Sequence, residues 1–257
     1  MKYLICLDLD GCVLDDEKKV GHELIDVIAN CKKHGCVVTF NTTRNFNRVK
    51  RYLTDLNPDY VNCLSGCYVK KLSGDELFNY CIPKQNMQQV FKVTNKYKEL
   101  NLVCSEWVNE EFVTSKDYAL KHNKTCKSLH EMQKQESYKL IYFFDKDIPP
   151  NVQIELKECN VNATISTKHK YLRIMPKRDK WDGIKVILDD LKFKDIKIIS
   201  FGNDLTDYIT LQNSHVGVAM LNAEEDLKKD AKYITEFSNN ENGIAQFLKK
   251  YFNKEGF

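Results

Sequence analysis

Strand-like and helix-like stretches alternate through the first third of the chain, stop alternating near residue 84, and resume near Lys180. Tyr3–Leu9 is an apolar run of strand type. His22–His34 places Leu24, Ile25, Ile28 and Cys31 at helical spacing and ends before Gly35, a C-terminal cap. Cys36–Phe40 is the next strand. Phe46–Leu56 is the next helix, ended by Asn57-Pro58, and Tyr60–Leu64 is a third strand closing on Ser65-Gly66. Beyond the break, Trp181, Ile184, Ile187, Leu188 and Leu191 form a helical stripe, Ile196–Phe201 a strongly apolar strand, and His215–Met220 a further short one. This alternation predicts an α/β fold built on a doubly wound parallel sheet. Residues 84–178 read instead as an inserted α+β domain that opens with a helix over 84–100, so the expected core is discontinuous, 1–83 and 179–257.

Open α/β sheets bind ligands beyond the carboxyl ends of their strands, and four polar clusters fall at or beside such ends. Leu4-Ile5-Cys6-Leu7 runs into Asp8-Leu9-Asp10-Gly11. Two acids at i, i+2 share a direction while the chain is extended and converge if it curls at the tip. The pair suits a hard divalent cation or a division between nucleophile and general acid/base. Alone, it reads equally as a turn acid before an Asp-Gly hairpin signal. Asn41-Thr42-Thr43-Arg44 follows the second strand; its hydroxyl and N–H groups suit a phosphate oxygen, although by itself Thr42 reads first as a helix N-cap. Lys180 suits a point charge on a phosphate, with Lys177 as a competitor and a plain surface lysine as the bland alternative. Asn203, Asp204 and Asp207 offer a hard cation three oxygen-bearing side chains, or form a loop. Together the clusters supply acids for a metal, a hydroxyl and a lysine, the set that phosphoryl transfer uses.

Lys and Arg exceed Asp and Glu by only 3, and no long basic block occurs, which argues against a nucleic-acid partner. No stretch is apolar for long enough to span a membrane, so no membrane partner is expected. The first apolar run meets Asp8 too early for a signal peptide. Several of the 10 cysteines lie in apolar runs, no Cys-x-x-Cys pair occurs, and the 6 histidines lack zinc spacing. Reduced thiols in a cytoplasm are the expectation; the oligomeric state is not legible.

Taken in order, the clusters resemble the motifs of the haloacid dehalogenase superfamily of phosphatases, in particular its Cof-type branch, over nearly the whole chain. Asp8-Leu9-Asp10-Gly11 is similar to the first motif, Asn41-Thr42-Thr43-Arg44 to the second, Lys180 to the third-motif lysine and Gly202–Asp207 to the fourth. Leu64-Ser65-Gly66, Val218–Ala223 and Asn239–Ile244 resemble further segments of that branch. Cys12 stands where threonine is usual, Thr43 where glycine is, and Asn203 where an acid is. The resemblance implies a Rossmann-like core with a type C2 cap, here 84–178. It implies Mg²⁺-dependent hydrolysis of a small phosphorylated metabolite: a sugar phosphate, nucleotide or phosphorylated cofactor. It implies Asp8 as nucleophile, Asp10 as acid then base, and Thr42 and Lys180 as holders of the phosphoryl group. Gly11, Thr43, Arg44, Gly66 and Asn222 fall on the substrate side. Mg²⁺ would take Asp8, Asp10 and a member of the set Asn203, Asp204 and Asp207. A phosphotransferase or mutase using the same aspartyl-phosphate is one alternative. A decayed regulatory module is the other, favoured by Asn203 and Thr43. In the insert, Trp107, Phe112, Tyr118 and Tyr142 suit either stacking on a substrate ring or a core.

Overall fold

The computed structural model describes residues 2–133, 136–167, 169–193 and 195–255. The first part of the chain forms β1 (Lys2–Leu7), α1 (His22–Lys33), β2 (Val37–Asn41), α2 (Phe46–Val49), α3 (Leu53–Leu56), β3 (Tyr60–Cys63), β4 (Tyr68–Lys71) and β5 (Glu76–Asn79). The middle part forms α4 (Lys84–Thr94), β6 (Asn101–Glu106), β7 (Glu111–Val113), α5 (Lys116–His122), β8 (Thr125–Cys126), α6 (Leu129–Gln133), β9 (Lys139–Phe143), α7 (Asn151–Lys157), β10 (Val161–Ser166) and β11 (Tyr171–Pro176). The last part forms α8 (Lys180–Leu191), β12 (Ile196–Gly202), α9 (Tyr208–Asn213), β13 (Val216–Ala219), α10 (Glu225–Asp230), β14 (Tyr233–Ile234) and α11 (Gly243–Glu255).

Two compact units result, Met1–Phe78 with Asp179–Phe257, and Asn79–Arg178. The first holds a sheet ordered β14-β13-β12-β1-β2-β3-β4-β5, so both parts of the chain contribute to it. From β14 to β3 the pairs are parallel; β4 runs antiparallel to β3. This is the expected doubly wound α/β core. β1 lies between β12 and β2, where the winding reverses, and such a switch point opens a crevice at the strand's carboxyl end. Leu4 and Cys6 of β1 are fully buried and share a cluster with Ile184 and Ile187 of α8 and with Ile198 of β12. A buried parallel strand reads as a continuous apolar run for that reason.

The second unit has its own sheet, β10-β11-β9-β6-β7-β8, antiparallel except for the β7–β8 pair. Met87, Val90 and Phe91 of α4 and Val152 and Leu156 of α7 join Leu140, Leu172 and Ile174 of this sheet in a separate core. The unit opens at Asn79 rather than at residue 84. The isolated bridge of Ile82 to Ser137 ties that connecting segment to the insert.

Three local expectations change. β1 stops at Leu7, because Val13 N bonds Asp8 O at 3.3 Å and Leu14 N bonds Leu9 O at 2.9 Å, curling the chain at the strand tip. The helix expected over 46–56 is split by a 3₁₀ turn, Lys50–Tyr52, which carries the buried Tyr52 ring. The helical reading of 84–100 ends at Thr94, whose hydroxyl turns back to Val90 O (3.0 Å) and also meets Tyr142 Oη (3.2 Å). A β-branched residue with such a bond competes with helix continuation.

Candidate active site

Asp8 is the first residue past β1 and is 5% exposed. Its N–H still reaches Phe201 O of β12, at 3.4 Å. Lys180, the first residue of α8, donates from Nζ to Asp8 Oδ1 at 2.7 Å and to Asp207 Oδ1 at 2.6 Å. Lys180 is 2% exposed and Asp207 fully buried, so one ammonium serves two carboxylates out of water. Asp179 caps α8, accepting from Asp182 N at 3.0 Å, and fixes where the helix starts. The α8 start is locked a second way. Asn62 Nδ2 lies 2.7 Å from Lys180 O and 2.6 Å from Asn41 Oδ1, a buried amide chain across the ends of β2 and β3. Gly66 packs beneath it at φ 86; a Cβ there would stand 2.1 Å from Asp179 O.

Asp207 spends its second oxygen on backbone. Oδ2 accepts from Asn203 N at 3.0 Å and from Asp204 N at 3.3 Å. Asp204 turns to its own loop, Oδ1 accepting from Thr206 N at 2.7 Å as an N-cap. Asn203 is left facing the first loop: a Cβ on Gly11 (φ 72) would lie 2.4 Å from Asn203 Nδ2, and Cys12 Sγ donates to Asn203 Oδ1 at 3.7 Å. Of the three candidates in this cluster, Asn203 alone keeps its side chain turned toward the Asp8–Cys12 loop.

Asp10 stands in a different setting. Arg44 donates from Nε to Oδ2 at 2.7 Å and from Nη2 to Oδ1 at 2.6 Å, and Lys18 Nζ donates to Oδ1 at 3.0 Å. Tyr52 Oη receives Arg44 Nη1 at 3.2 Å. Partial burial raises the Asp10 carboxyl, but the Arg44 bonds and charge, then Lys18, outweigh it and hold the group down at about 2. Burial first, then the Asp207 and Asp204 charges, push Asp8 the other way, up to about 8, although Lys180 opposes them. Lys180 itself is held protonated above its ordinary value: burial works against this, and the charges of Asp207 and Asp8 prevail.

Thr42 is buried beyond β2; its Oγ1 accepts from Arg44 N at 3.2 Å, and its own N–H reaches Asn62 O at 2.8 Å. Thr43 is half-buried in the same loop. Asn222, expected on the substrate side, uses its amide on the backbone, donating to Gly11 O at 2.9 Å and accepting from Asn239 N at 3.1 Å. Asn239 Nδ2 reaches Leu14 O at 2.9 Å, and Asn240 Oδ1 accepts from Asp16 N at 3.0 Å. The three asparagines fasten the hairpin that follows Asp10 and carries Lys18. Lys18, Tyr52 and Asn62 are parts of the site that spacing did not reveal, since each arrives through a loop or a neighbouring strand.

Asp8 and Asp207 share one cation in a buried place, which leaves carboxylate charge uncompensated. Oxygen donors in that excess fit a hard divalent cation such as Mg²⁺. A second group of potential ligands, Cys104, Glu106 and Glu111, lies in the insert. There Lys139 meets Glu106 at 2.7 Å and Lys124 pairs with Glu111, so the acids are already neutralised. Phe112 and Tyr142 belong to the insert's core, Trp107 packs edge-on to Phe112 at 5.9 Å, and Tyr118 is exposed beside His122. No helix among the described residues is long and apolar enough to cross a membrane.

A model of the haloacid dehalogenase-like hydrolase family matches residues 5–248. The chain is 27% identical over 269 residues to 5-amino-6-(5-phospho-D-ribitylamino)uracil phosphatase YitU of Bacillus subtilis, covering 97% of each. It is 24% identical over 276 residues to YwtE, a phosphatase of the same name from that organism, covering 95% of this chain and 96% of the relative. The fold matches the phosphatase BT1666 from Bacteroides thetaiotaomicron with a TM-score of 0.82 at 21% identity, covering 98% of this chain and 95% of that one. The family match, over most of the chain and with the buried lysine–aspartate centre at the sheet's switch point, places the chain in the haloacid dehalogenase-like hydrolase family.

Proposed function

We propose that this chain is a Mg²⁺-dependent phosphatase that works through an aspartyl-phosphate on Asp8. The observation that carries the reading is the Lys180 bridge between Asp8 and Asp207 at the tip of β1. The bridge holds Asp8 Oδ1 and leaves Oδ2 to attack phosphorus. Lys180, already positioned at the nucleophile, neutralises charge on the transferring group. The Thr42 hydroxyl and the N–H groups beside it bind a phosphoryl oxygen. Asp8 and Asn203, with the main-chain oxygen of Asp10 so that its carboxyl stays available for the proton, would hold Mg²⁺, which when bound offsets the negative charge of the nucleophile and the phosphoryl oxygens. Asp207 stays with Lys180 and the 203–204 backbone as a support, and Asp204 with its turn.

Asp10 is ionised beside Arg44 and Lys18. An entering phosphate dianion competes for both cations and leaves Asp10 free to bind a proton. That proton passes to the leaving oxygen as its bond to phosphorus breaks. The resulting carboxylate takes a proton from the water that then attacks the phosphoryl group on Asp8. The names of the two Bacillus relatives favour a phosphorylated polyol carried on a heterocycle as the first substrate to try, ahead of simple sugar phosphates, nucleotides and other phosphorylated cofactors.

The test is hydrolysis of p-nitrophenyl phosphate, then of a phosphometabolite panel, with Mg²⁺ and with chelator. Mg²⁺-dependent release of inorganic phosphate, lost in Asp8→Asn while the circular dichroism spectrum is kept, supports the reading. Metal-independent turnover, or turnover by Asp8→Asn, refutes it. A new ester formed in place of inorganic phosphate assigns a phosphotransferase instead.

A further inference from the structure

α1 ends in a cap that brings two cysteines together. Cys36 N bonds Cys31 O at 3.1 Å and Gly35 N bonds Lys32 O at 2.9 Å, the paired closures of a Schellman motif, with Gly35 at φ 83 making the turn. In that motif the side chains three residues before and two beyond the helix end meet, normally as an apolar contact. Here both positions are cysteine. The contact is therefore thiol against thiol, at sequence separation five, and both are free. Cys31 sits lower than an ordinary thiol, chiefly because the Cys36 thiol donates to it, while Cys36 is raised by the same contact.

Cys31 is buried at 3% exposure but stands at the wall of a surface groove. It lines a groove of about 230 Å³ between α1 and α11, with Val27, Asn30, Leu248, Lys249 and Phe252 among its other walls. A small oxidant fits such a space. Cys36 belongs to the segment entering β2 and is 5% exposed. The two are about equally buried; Cys31 borders the groove and Cys36 is not among its walls, which makes Cys31 the attacking and Cys36 the resolving thiol.

We propose that Cys31 and Cys36 form a dithiol site that a hydroperoxide closes to a disulfide and a thiol reductant reopens. Cys31 thiolate attacks one peroxide oxygen: an S–O bond forms, the O–O bond breaks, and the departing hydroxide takes a proton to become water. The Cys36 thiolate then attacks the sulfenic sulfur: the S–S bond forms, the S–O bond breaks, and hydroxide leaves as a second water with the Cys36 proton. Two thiols are oxidised and one hydrogen peroxide is reduced to two waters. The site lies at the start of β2, whereas Thr42 follows its end, so the readout is chemical rather than catalytic.

Lys32 and Lys33 separate the two cysteines, which makes the test direct. The full chain is reduced, freed of reductant, exposed to hydrogen peroxide, alkylated and digested with trypsin without reduction. The expected product is a linked pair of peptides, one ending at Lys32 with Cys31 and one beginning at His34 with Cys36, lost on adding dithiothreitol. In Cys36→Ser, Cys31 becomes a sulfenic acid that dimedone traps; in Cys31→Ser, Cys36 stays alkylatable. Cys126, exposed in the insert, serves as the unpaired comparison. Both thiols remaining alkylatable after Cys126 has oxidised overturns the proposal, as does oxidation of Cys31 with Cys36 left free in the wild-type chain.

Discussion

Asp8 and Asp10 are two residues apart, yet one is pushed up to about 8 by burial and the other held down at about 2 by two cations overcoming partial burial. These directions run opposite to the proposed roles, since a nucleophile must be ionised and a general acid protonated: a divalent cation held beside Asp8 would favour its ionised form, and a phosphate drawing Arg44 and Lys18 away would let Asp10 take a proton. Asp10→Asn removes the proton carrier and keeps the shape. The expected loss is roughly 10²–10⁴-fold on alkyl phosphates, and smaller on p-nitrophenyl phosphate, whose leaving group needs little protonation. Equal losses on both, measured as kcat/KM, would sink the acid role. Asn203 gives the second prediction at this scale. Asn203→Asp adds a carboxylate toward the Asp8–Cys12 loop and should raise the Mg²⁺-induced shift in thermal midpoint; Asp204→Ala should leave that shift in place and cost only its turn cap, about 0.5–2 kcal/mol. The reverse pattern assigns Asp204 as the ligand. The sequence exposed Asp8, Asp10 and Lys180 because each ends or begins a strongly patterned element. It hid Lys18 and Asn62, whose roles depend on a hairpin folding back and on β3 lying beside β2.

Elements place these residues by how they stop. β1 ends in a curl, α8 begins at a capped residue, and the segment after β3 turns at Gly66 so that the backbone at Asp179 can come close. That turn gives a prediction about an element junction. Alanine at 66 meets a positive φ, costing about 1–2 kcal/mol by itself, and its Cβ would lie 2.1 Å from a backbone oxygen that cannot swing away. Gly66→Ala should therefore destabilise by more than the φ penalty alone and displace the start of α8, lowering kcat through Lys180. Chemical denaturation and steady-state kinetics together check this; an unchanged denaturation midpoint would show that the junction yields. Element type was legible where apolar periodicity ran long, as in α1, α8, β1 and β12. It failed over 46–56, where a 3₁₀ turn presents Tyr52 to Arg44, and past Thr94, where a hydroxyl bond and a contact to Tyr142 outweigh helical spacing. Tertiary contacts decided both, and no local pattern carries them.

At the scale of the molecule, the residues proposed for the chemistry and the insert belong to different compact units. Asp8, Asp10, Thr42, Lys180, Asn203 and Asp207 all belong to the unit formed by Met1–Phe78 and Asp179–Phe257, while Asn79–Arg178 has its own sheet and its own apolar core. Two cores with their own apolar clusters are expected to tolerate separation better than one core cut in half. In the sequence the insert is marked by a break in strand–helix alternation near residue 84; the second compact unit begins at Asn79, the last residue of β5. If the insert governs access and substrate choice, replacing residues 79–178 with a Gly/Ser linker should leave a folded core that still cleaves p-nitrophenyl phosphate slowly with Mg²⁺. The same core should lose discrimination among phosphorylated metabolites, since a lid contributes mainly by excluding water and contacting the leaving group. The measurement is the ratio of kcat/KM for the best metabolite to that for the aryl phosphate, in the full chain and in the shortened one. A fall in that ratio with residual aryl turnover supports the division. A folded core that retains Mg²⁺-dependent stabilisation but has no aryl turnover would mean that the insert supplies a group to the chemistry itself.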